Sequence, residues 1–207
     1  MRVIKASTEI MAATPDLEHI IELAGRVCYK SEDRICEGSA EKLIGRLMAS
    51  KHESVLEHGS ITVRFICDRG VSHELVRHRI ASFSQESTRY CNYGKEGFGQ
   101  EITVIDPEGA FPEMADSCNL TNWRQGCLQA ETSYLAMLRG GCSPQLARSV
   151  LPNSLKTEVV MTCNPREWLH IFRLRCANTA HPQMREVMIP LQAEFQKRWP
   201  IIFGEAS

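Results

Sequence analysis

No stretch of this sequence approaches the ~20 consecutive apolar residues that a membrane-spanning helix requires, and neither sign of charge is in excess. Its 207 residues carry 24 Lys and Arg against 25 Asp and Glu, a formal net charge of −1. A protein that coats nucleic acid by charge alone needs a basic surplus, so that class is excluded. The nine cysteines include no two separated by only two to four residues, the spacing that zinc ribbons and redox dithiols use. Internal repeats, low-complexity tracts and linker-like shifts of composition are also missing, and aromatics make up only 7% of the chain. The start, Met-Arg-Val-Ile-Lys-Ala-Ser-Thr-Glu, turns polar before a signal core could form. The expectation is a cytoplasmic protein whose thiols are reduced and behave for the most part as small hydrophobes.

What is present is globular: 43% apolar and 24% charged residues, in a length that buries roughly 70% of its unfolded surface around one core. A single domain over 1–207 is expected. Residues 1–8 alternate like an edge strand, and Thr14-Pro15-Asp16 predicts a helix with Thr14 as N-cap and Pro15 at its first position. Leu17, Ile20, Ile21, Ala24, Val27 and Cys28 share one helical face, as do Leu43, Ile44, Leu47 and Met48 after Ser39. Alternation predicts a strand from Ser60 to Cys67, followed after Asp68-Arg69-Gly70 by a helix over 71–80. Residues 101–105 read as a strand, 116–139 as a long helix stopped by Gly140-Gly141, and 156–162 as a strand after a helix ending near Pro152. Asn164-Pro165-Arg166-Glu167 opens a helix to about Ala177, and Met184, Val187, Met188, Leu191, Phe195 and Trp199 form the stripe of a last helix. Helices and strands interleave, which defines a mixed α/β class.

Charge is unevenly distributed. Residues 101–120 hold five acids and no Lys or Arg, whereas 148–198 hold eight Lys and Arg against four acids. The basic part suits an anionic small molecule, and it equally suits ordinary variation of a solvated surface. The densest polar cluster is Arg77-His78-Arg79, followed by Ser82, Ser84, Gln85, Glu86, Ser87, Thr88, Arg89 and Tyr90. Arginine forks bind phosphate bidentately, and Ser and Gln read heterocycle edges. The same residues also fit a helix end where cations answer the dipole.

Arg175 continues the stripe of Trp168, Ile171 and Phe172, four residues beyond Ile171. A guanidinium there is desolvated and must pair with an acid or with a ligand anion. His170, Arg166 and Arg173 fall on the opposite face. In His52-Glu53-Ser54-Val55-Leu56-Glu57-His58, Glu53 and Glu57 are four apart and would share a helical face. The histidines are six apart, unlike the four of a metalloprotease helix, so no metal site is assigned. Gly94-Lys95-Glu96-Gly97-Phe98-Gly99 reads as a loop.

Arg77-His78-Arg79, seven residues, then Ser87 with Arg89-Tyr90 resembles the signature of the flavin-dependent thymidylate synthases. The likeness extends through His52-Glu53-Ser54, Glu57-His58, Arg148-Ser149-Val150-Leu151-Pro152, Asn164-Pro165-Arg166 and Arg175. It implies an α/β fold with a central, largely antiparallel sheet and packed helices. It also implies methylation of dUMP to dTMP, with 5,10-methylenetetrahydrofolate as carbon donor and FAD reduced by NADPH as hydride source. By position, Ser54, Arg77, His78, Arg79, Gln85, Asn164, Arg166 and His170 would contact FAD. Glu74, Arg77, Gln85, Glu86, Ser87, Thr88, Arg89, Arg148 and Arg175 would contact dUMP, with Arg175 catalytic. Members carry Gln and Glu where this chain has Glu74 and Gln85, and residues 178–185 do not follow the family pattern. The resemblance further implies a homotetramer with sites shared between subunits, and neither nucleic acid nor membrane as partner. Two alternatives stand beside it. One is a related flavoprotein acting on another pyrimidine nucleotide or one-carbon group. The other is a non-catalytic nucleotide- or RNA-binding module, against which the scarcity of interleaved aromatics from Arg77 to Arg89, where Phe83 stands alone, weighs.

Overall fold

The computed structural model describes residues 1–204. In chain order the elements are β1 (Arg2–Ile4), β2 (Ser7–Ala13), α1 (Leu17–Val27), α2 (Ser39–Ala49), β3 (Ile61–Asp68), α3 (Arg69–Leu75), β4 (Ser82–Gln85), β5 (Thr103–Ile105), α4 (Ser117–Arg139), α5 (Pro144–Ala147), β6 (Lys156–Cys163), α6 (Pro165–Arg175), α7 (Pro182–Arg198) and α8 (Pro200–Phe203). Strands β2, β3, β6 and β4 form an antiparallel sheet in that order, and β1 pairs with β5 in parallel in a separate ribbon. The expected mixed α/β class with a largely antiparallel sheet is what the chain adopts.

Period-two alternation decides which face of the sheet meets the helices. Ile61, Val63, Phe65 and Cys67 of β3 and Val159, Met161 and Cys163 of β6 are buried together with the stripes of α1, α2, α6 and α7. The opposite face is polar: Thr62 and Thr162 share a hydroxyl hydrogen bond of 2.9 Å, and Arg64 pairs with Glu9 at 2.6 Å. Trp168 of α6 is fully buried at the centre, its ring 5.1 Å from Phe195 and 6.4 Å from Phe65. Its indole N–H donates to the Ile61 carbonyl at 3.2 Å, which fixes α6 to the start of β3. A second cluster joins Cys127 and Tyr134 of α4 to Tyr93, Ile102, Val104 and Leu155. No helix among the described residues is long and apolar enough to cross a membrane.

Several local expectations are corrected. Thr14 does not cap α1: its hydroxyl accepts the Ser60 N–H at 2.9 Å, tying the end of β2 to the start of β3, and the helix begins at Leu17. The first strand is two, because β1 joins β5 and the chain crosses to the main sheet at β2. The helix expected over 71–80 starts two residues earlier, with the Asp68 side chain accepting the Val71 N–H at 2.7 Å, and ends at Leu75. Val76 and Ile80, apolar at helical spacing, are exposed. Residues 82–85 then form edge strand β4, which the sequence pattern does not announce. Before Pro152 there is only the short α5 and a 3-10 turn, Arg148–Val150. Of the nine free cysteines only Cys67, Cys127 and Cys163 are buried, so most are not core filler, and Cys28, Cys36 and Cys118 are exposed.

The Trp168 contacts set a stability expectation. Trp168→Ala should lower the unfolding free energy by about 3–5 kcal/mol, read as a shift of the urea midpoint. Trp168→Phe, which keeps most of the volume and loses the bond to Ile61, should cost clearly less, and a loss below about 1 kcal/mol for the alanine variant would remove Trp168 from its central place.

Candidate active site

The site begins where α3 stops. The backbone N–H groups of Arg77 and His78 bond back to the carbonyls of Glu74 and Leu75, both at 3.2 Å, so Arg77-His78-Arg79 lies in a tight turn between α3 and β4. That turn buries His78 and leaves Arg77 and Arg79 exposed. Among the described residues neither exposed arginine has a side-chain hydrogen bond or an ion-pair partner.

From the far side, α6 delivers Arg175. Asn164 caps this helix, accepting the Glu167 N–H at 2.8 Å, with Pro165 at its first position. Trp168, Ile171 and Phe172 enter the core, and Arg175 follows on the same face with its side chain 19% exposed. Its Nη1 meets Glu74 Oε2 at 2.6 Å, its Nη2 donates to the Glu74 carbonyl at 3.2 Å, and its Nε donates to His78 Nε2 at 3.0 Å. The sequence demand for a partner is met by a carboxylate within the chain, and three of the expected residues, Glu74, His78 and Arg175, are brought into direct contact.

Because Arg175 can only donate, His78 Nε2 must accept, and a neutral ring then carries its proton on Nδ1. That nitrogen faces Glu167 Oε1 at 3.6 Å. Burial, then the nearby Arg175 and His170, pulls the His78 imidazole down to about 4, so at neutral pH the contact with Glu167 is not an ion pair. Burial also raises the Glu167 carboxyl. The ring of His170 stands edge-on to His78 at 6.2 Å, and its Nδ1 lies 2.9 Å from Arg173. Donor atoms of His78, Glu167 and His170 lie within 4.8 Å of one another. With Arg175 on one imidazole and Arg173 on the other, this set favours an anion or a polar ring over a divalent cation.

Asn164, Arg166, His170 and Arg173 line one cavity of about 680 Å³ with Glu53, Glu57 and Ile80. Arg166 bridges Glu57 at 2.6 Å and Glu53 at 3.4 Å. The two acids four positions apart therefore share a face as expected, on a 3-10 turn, Glu53–His58, and the residue they hold was not visible from spacing. Ser54 is exposed on that turn. Glu167 and Arg173 join the site unforeseen: Glu167 carried only the signal of a capping residue, and Arg173 that of a surface cation.

The rest of the signature gathers elsewhere. Gln85 points inward, its amide donating to the Ser72 hydroxyl at 2.9 Å and to that of Thr157 at 3.2 Å. Ser87 closes a turn through Tyr90 and Cys91, Arg148 reaches the Thr88 hydroxyl at 3.4 Å, and Arg89 donates to Gln145 at 3.0 Å. Glu86 is engaged within the chain, one oxygen accepting from Tyr93 at 2.8 Å and the other pairing with Lys156 at 2.9 Å. Among the described residues no hydrogen bond joins this group to the Glu74, His78 and Arg175 group.

The fold is a mixed α/β one with an antiparallel sheet, and its cleft sets Arg166, Arg173 and His170 beside Glu53, Glu57 and Glu167, next to the buried His78 and Arg175. Residues 9–201 match the profile of the family described as thymidylate synthase complementing protein. The flavin-dependent thymidylate synthase of Geobacter sulfurreducens is 32% identical over 206 residues, covering 96% of this chain and 85% of that protein. That of Pyrococcus furiosus is 34% identical over 180 residues, covering 86% and 72%. In fold the chain is similar to the crystal structure of a UMP/dUMP methylase, PolB, from Streptomyces cacaoi bound with 5-Br dUMP, with a TM-score of 0.83, 24% identity and coverage of 100% and 96%. The chain belongs to the flavin-dependent thymidylate synthase family of enzymes.

The neutral state of His78 has a consequence for stability. An unfolded histidine titrates near 6.5, so between about 6.5 and 4 the unfolded chain binds a proton that folded His78 refuses. The stability from neutral His78 is complete above that window and is lost as pH falls through it. The carboxyls of buried Asp68 and half-buried Glu186, raised by desolvation, act in the opposite sense, so the comparison with His78→Gln is the quantity to read. Between pH 7 and 5 the wild-type urea midpoint should fall more than that of the variant, and equal falls would show that His78 is protonated in the folded state.

Proposed function

We propose that the protein methylates dUMP to dTMP, with 5,10-methylenetetrahydrofolate as carbon donor and FAD as flavin. The observation that carries this reading is Arg175, largely withdrawn from water at the end of an apolar helix face and held by Glu74 and His78. For C5 of uracil to attack a carbon donor, negative charge must be held at N3 and the flanking oxygens. A fixed guanidinium in a water-poor site stabilises that charge far better than solvent can. Arg175 supplies it, and His78 and Glu74 keep the fork oriented before the nucleotide arrives.

The donor set fits FAD. Arg77 and Arg79 have no protein partner among the described residues, and the adjoining cavity, at about 680 Å³, is within the usual size of ligand sites. Arg77, Arg79, Arg166 and Ser54 would hold the anionic diphosphate, and Asn164, His78 and His170 the ring system. When bound and reduced by NADPH, FAD supplies the hydride that completes the methyl group. Glu74, Gln85, Glu86, Ser87, Thr88, Arg89 and Arg148 orient the nucleotide, the arginines by charge at its phosphate. Apart from Glu74, these residues share no hydrogen bond with Arg175 within one chain among the described residues, which supports sites shared between subunits of a cytoplasmic homotetramer.

Purified protein should be yellow and should release tritium from C5-labelled dUMP when given NADPH and methylenetetrahydrofolate. Arg175→Ala should lower turnover by about a hundredfold or more while the flavin absorbance is retained. Protein that takes up no FAD overturns the reading, and normal turnover of the variant removes Arg175 from the chemistry.

A further inference from the structure

A second cavity, of about 370 Å³, opens between the last turns of α1 and α2. Arg26, Lys30, Arg34, Arg46 and His52 line it, Tyr29 stands at its edge, and no acid is among its lining residues. Leu43 and Leu47, both buried, give it an apolar wall.

Arginines and lysines at helix C-termini are often explained by the helix dipole and its unpaired carbonyls. Here the backbone does much of that capping. The N–H groups of Tyr29 and Ser31 bond to the Arg26 carbonyl, that of Lys30 to Val27, and those of Ser50, Lys51 and His52 to Arg46, Met48 and Leu47. Arg46 adds only a 3.2 Å bond from Nε to the Lys42 carbonyl. Among the described residues Lys30, Arg34 and Arg46 have no ion-pair partner.

Arg26 is the fixed member. It is 7% exposed, with Nε and Nη2 both donating to Glu22 Oε1 at 3.0 and 2.8 Å. Ser39 donates to the same oxygen at 2.7 Å. The Nη1 edge of this buried, pre-oriented fork makes no hydrogen bond among the described residues. Glu22 thus answers Arg26 alone, and Lys30, Arg34 and Arg46 leave a surplus of positive charge around a concave, partly apolar site.

The cavity also adjoins the candidate active site. Leu47 and His52 line the basic cavity, and the residues that follow them, Met48 and Glu53, line the cavity of Asn164, Arg166 and His170. The end of α2 is a wall common to both.

We propose that this basic cavity binds the multiply charged anionic end of a cosubstrate, a phosphate monoester or a run of carboxylates, while the reacting ring of that molecule enters the neighbouring cavity. The proposal rests on the dUMP-methylating reading, with two anionic cosubstrates that could bring such an end. NADPH carries a phosphate monoester that NADH lacks, and a folate triglutamate carries carboxylates that the monoglutamate lacks.

The test uses the double variant Arg34→Glu/Arg46→Glu, with Lys42→Glu on the exposed face of α2 as charge control. In the tritium-release assay the double variant should raise KM for NADPH or for the triglutamate by about tenfold, with kcat and the KM for dUMP within about twofold. A rise for NADPH and not NADH assigns the phosphate. A rise for the triglutamate and not the monoglutamate assigns the carboxylates. Unchanged KM for both, an equal rise with and without the extra charges, or the same rise in Lys42→Glu overturns the proposal. If the wild type takes up no FAD or does not turn over, the reading of function fails, and calorimetry with tripolyphosphate decides the cavity alone. Binding by the wild type that is lost in the double variant upholds an anion site, and no binding by the wild type overturns it.

Discussion

The guanidinium of Arg175 sets the terms for much of the structure around it. A cation withdrawn from water is tolerable only if its donors are met, and they are met by residues 97 and 101 positions away in the chain. Glu74 comes from α3 and His78 from the turn that follows, so the first cluster of the signature and the end of α6 are held as one unit. Arg175 also fixes the state of His78. It occupies Nε2, places the proton on Nδ1, and with burial keeps the ring neutral. The charge state of the site is therefore a result of packing. Glu74 compensates the charge of Arg175 from within the chain.

The sheet makes this contact possible. Pairing of β3 with β6 runs in register from Ile61 with Cys163 to Asp68 with Lys156. The chain leaves β3 into α3 at one end and leaves β6 into α6 at the other. Trp168 anchors α6 to the Ile61 carbonyl, and the eleven-residue helix from Pro165 carries the chain back to Arg175. Asp68 and Asn164 cap the two helices from the strand ends, so the segment lengths of α3 and α6 decide whether Glu74 and Arg175 meet.

Much of this was legible in the sequence because it is local. The cap Asn164, the alternation of β3 and β6 and the stripe ending in Arg175 each occupy a short window, and burial acts on that window directly. The misread segments are those where tertiary pairing overrides local pattern. Val76 and Ile80 extend the helical spacing of α3, yet both are exposed, because the chain turns to add β4 to the edge of β6. Thr14 has the chemistry of a cap and is taken by Ser60, 46 residues away. The pair Glu53 and Glu57 was visible, but not its partner Arg166, whose distance of 109 residues is closed only by the sheet.

Charge shows the same limit most clearly. Residues 22–46 contain five acids and five Lys or Arg, so as a sequence window they report neutrality. In the fold Glu22 turns inward to Arg26 and Ser39, while Lys30, Arg34 and Arg46 converge on one cavity from which Glu32, Asp33, Glu37 and Glu41 are absent. The net charge of −1 is thus an average over separated fields. A field of a few kT at a concave site depends on which charges share a wall, not on their sum. Near-neutral composition with local separation of charge permits an anion-attracting wall while avoiding the general attraction to polyanions that a uniformly basic surface would bring.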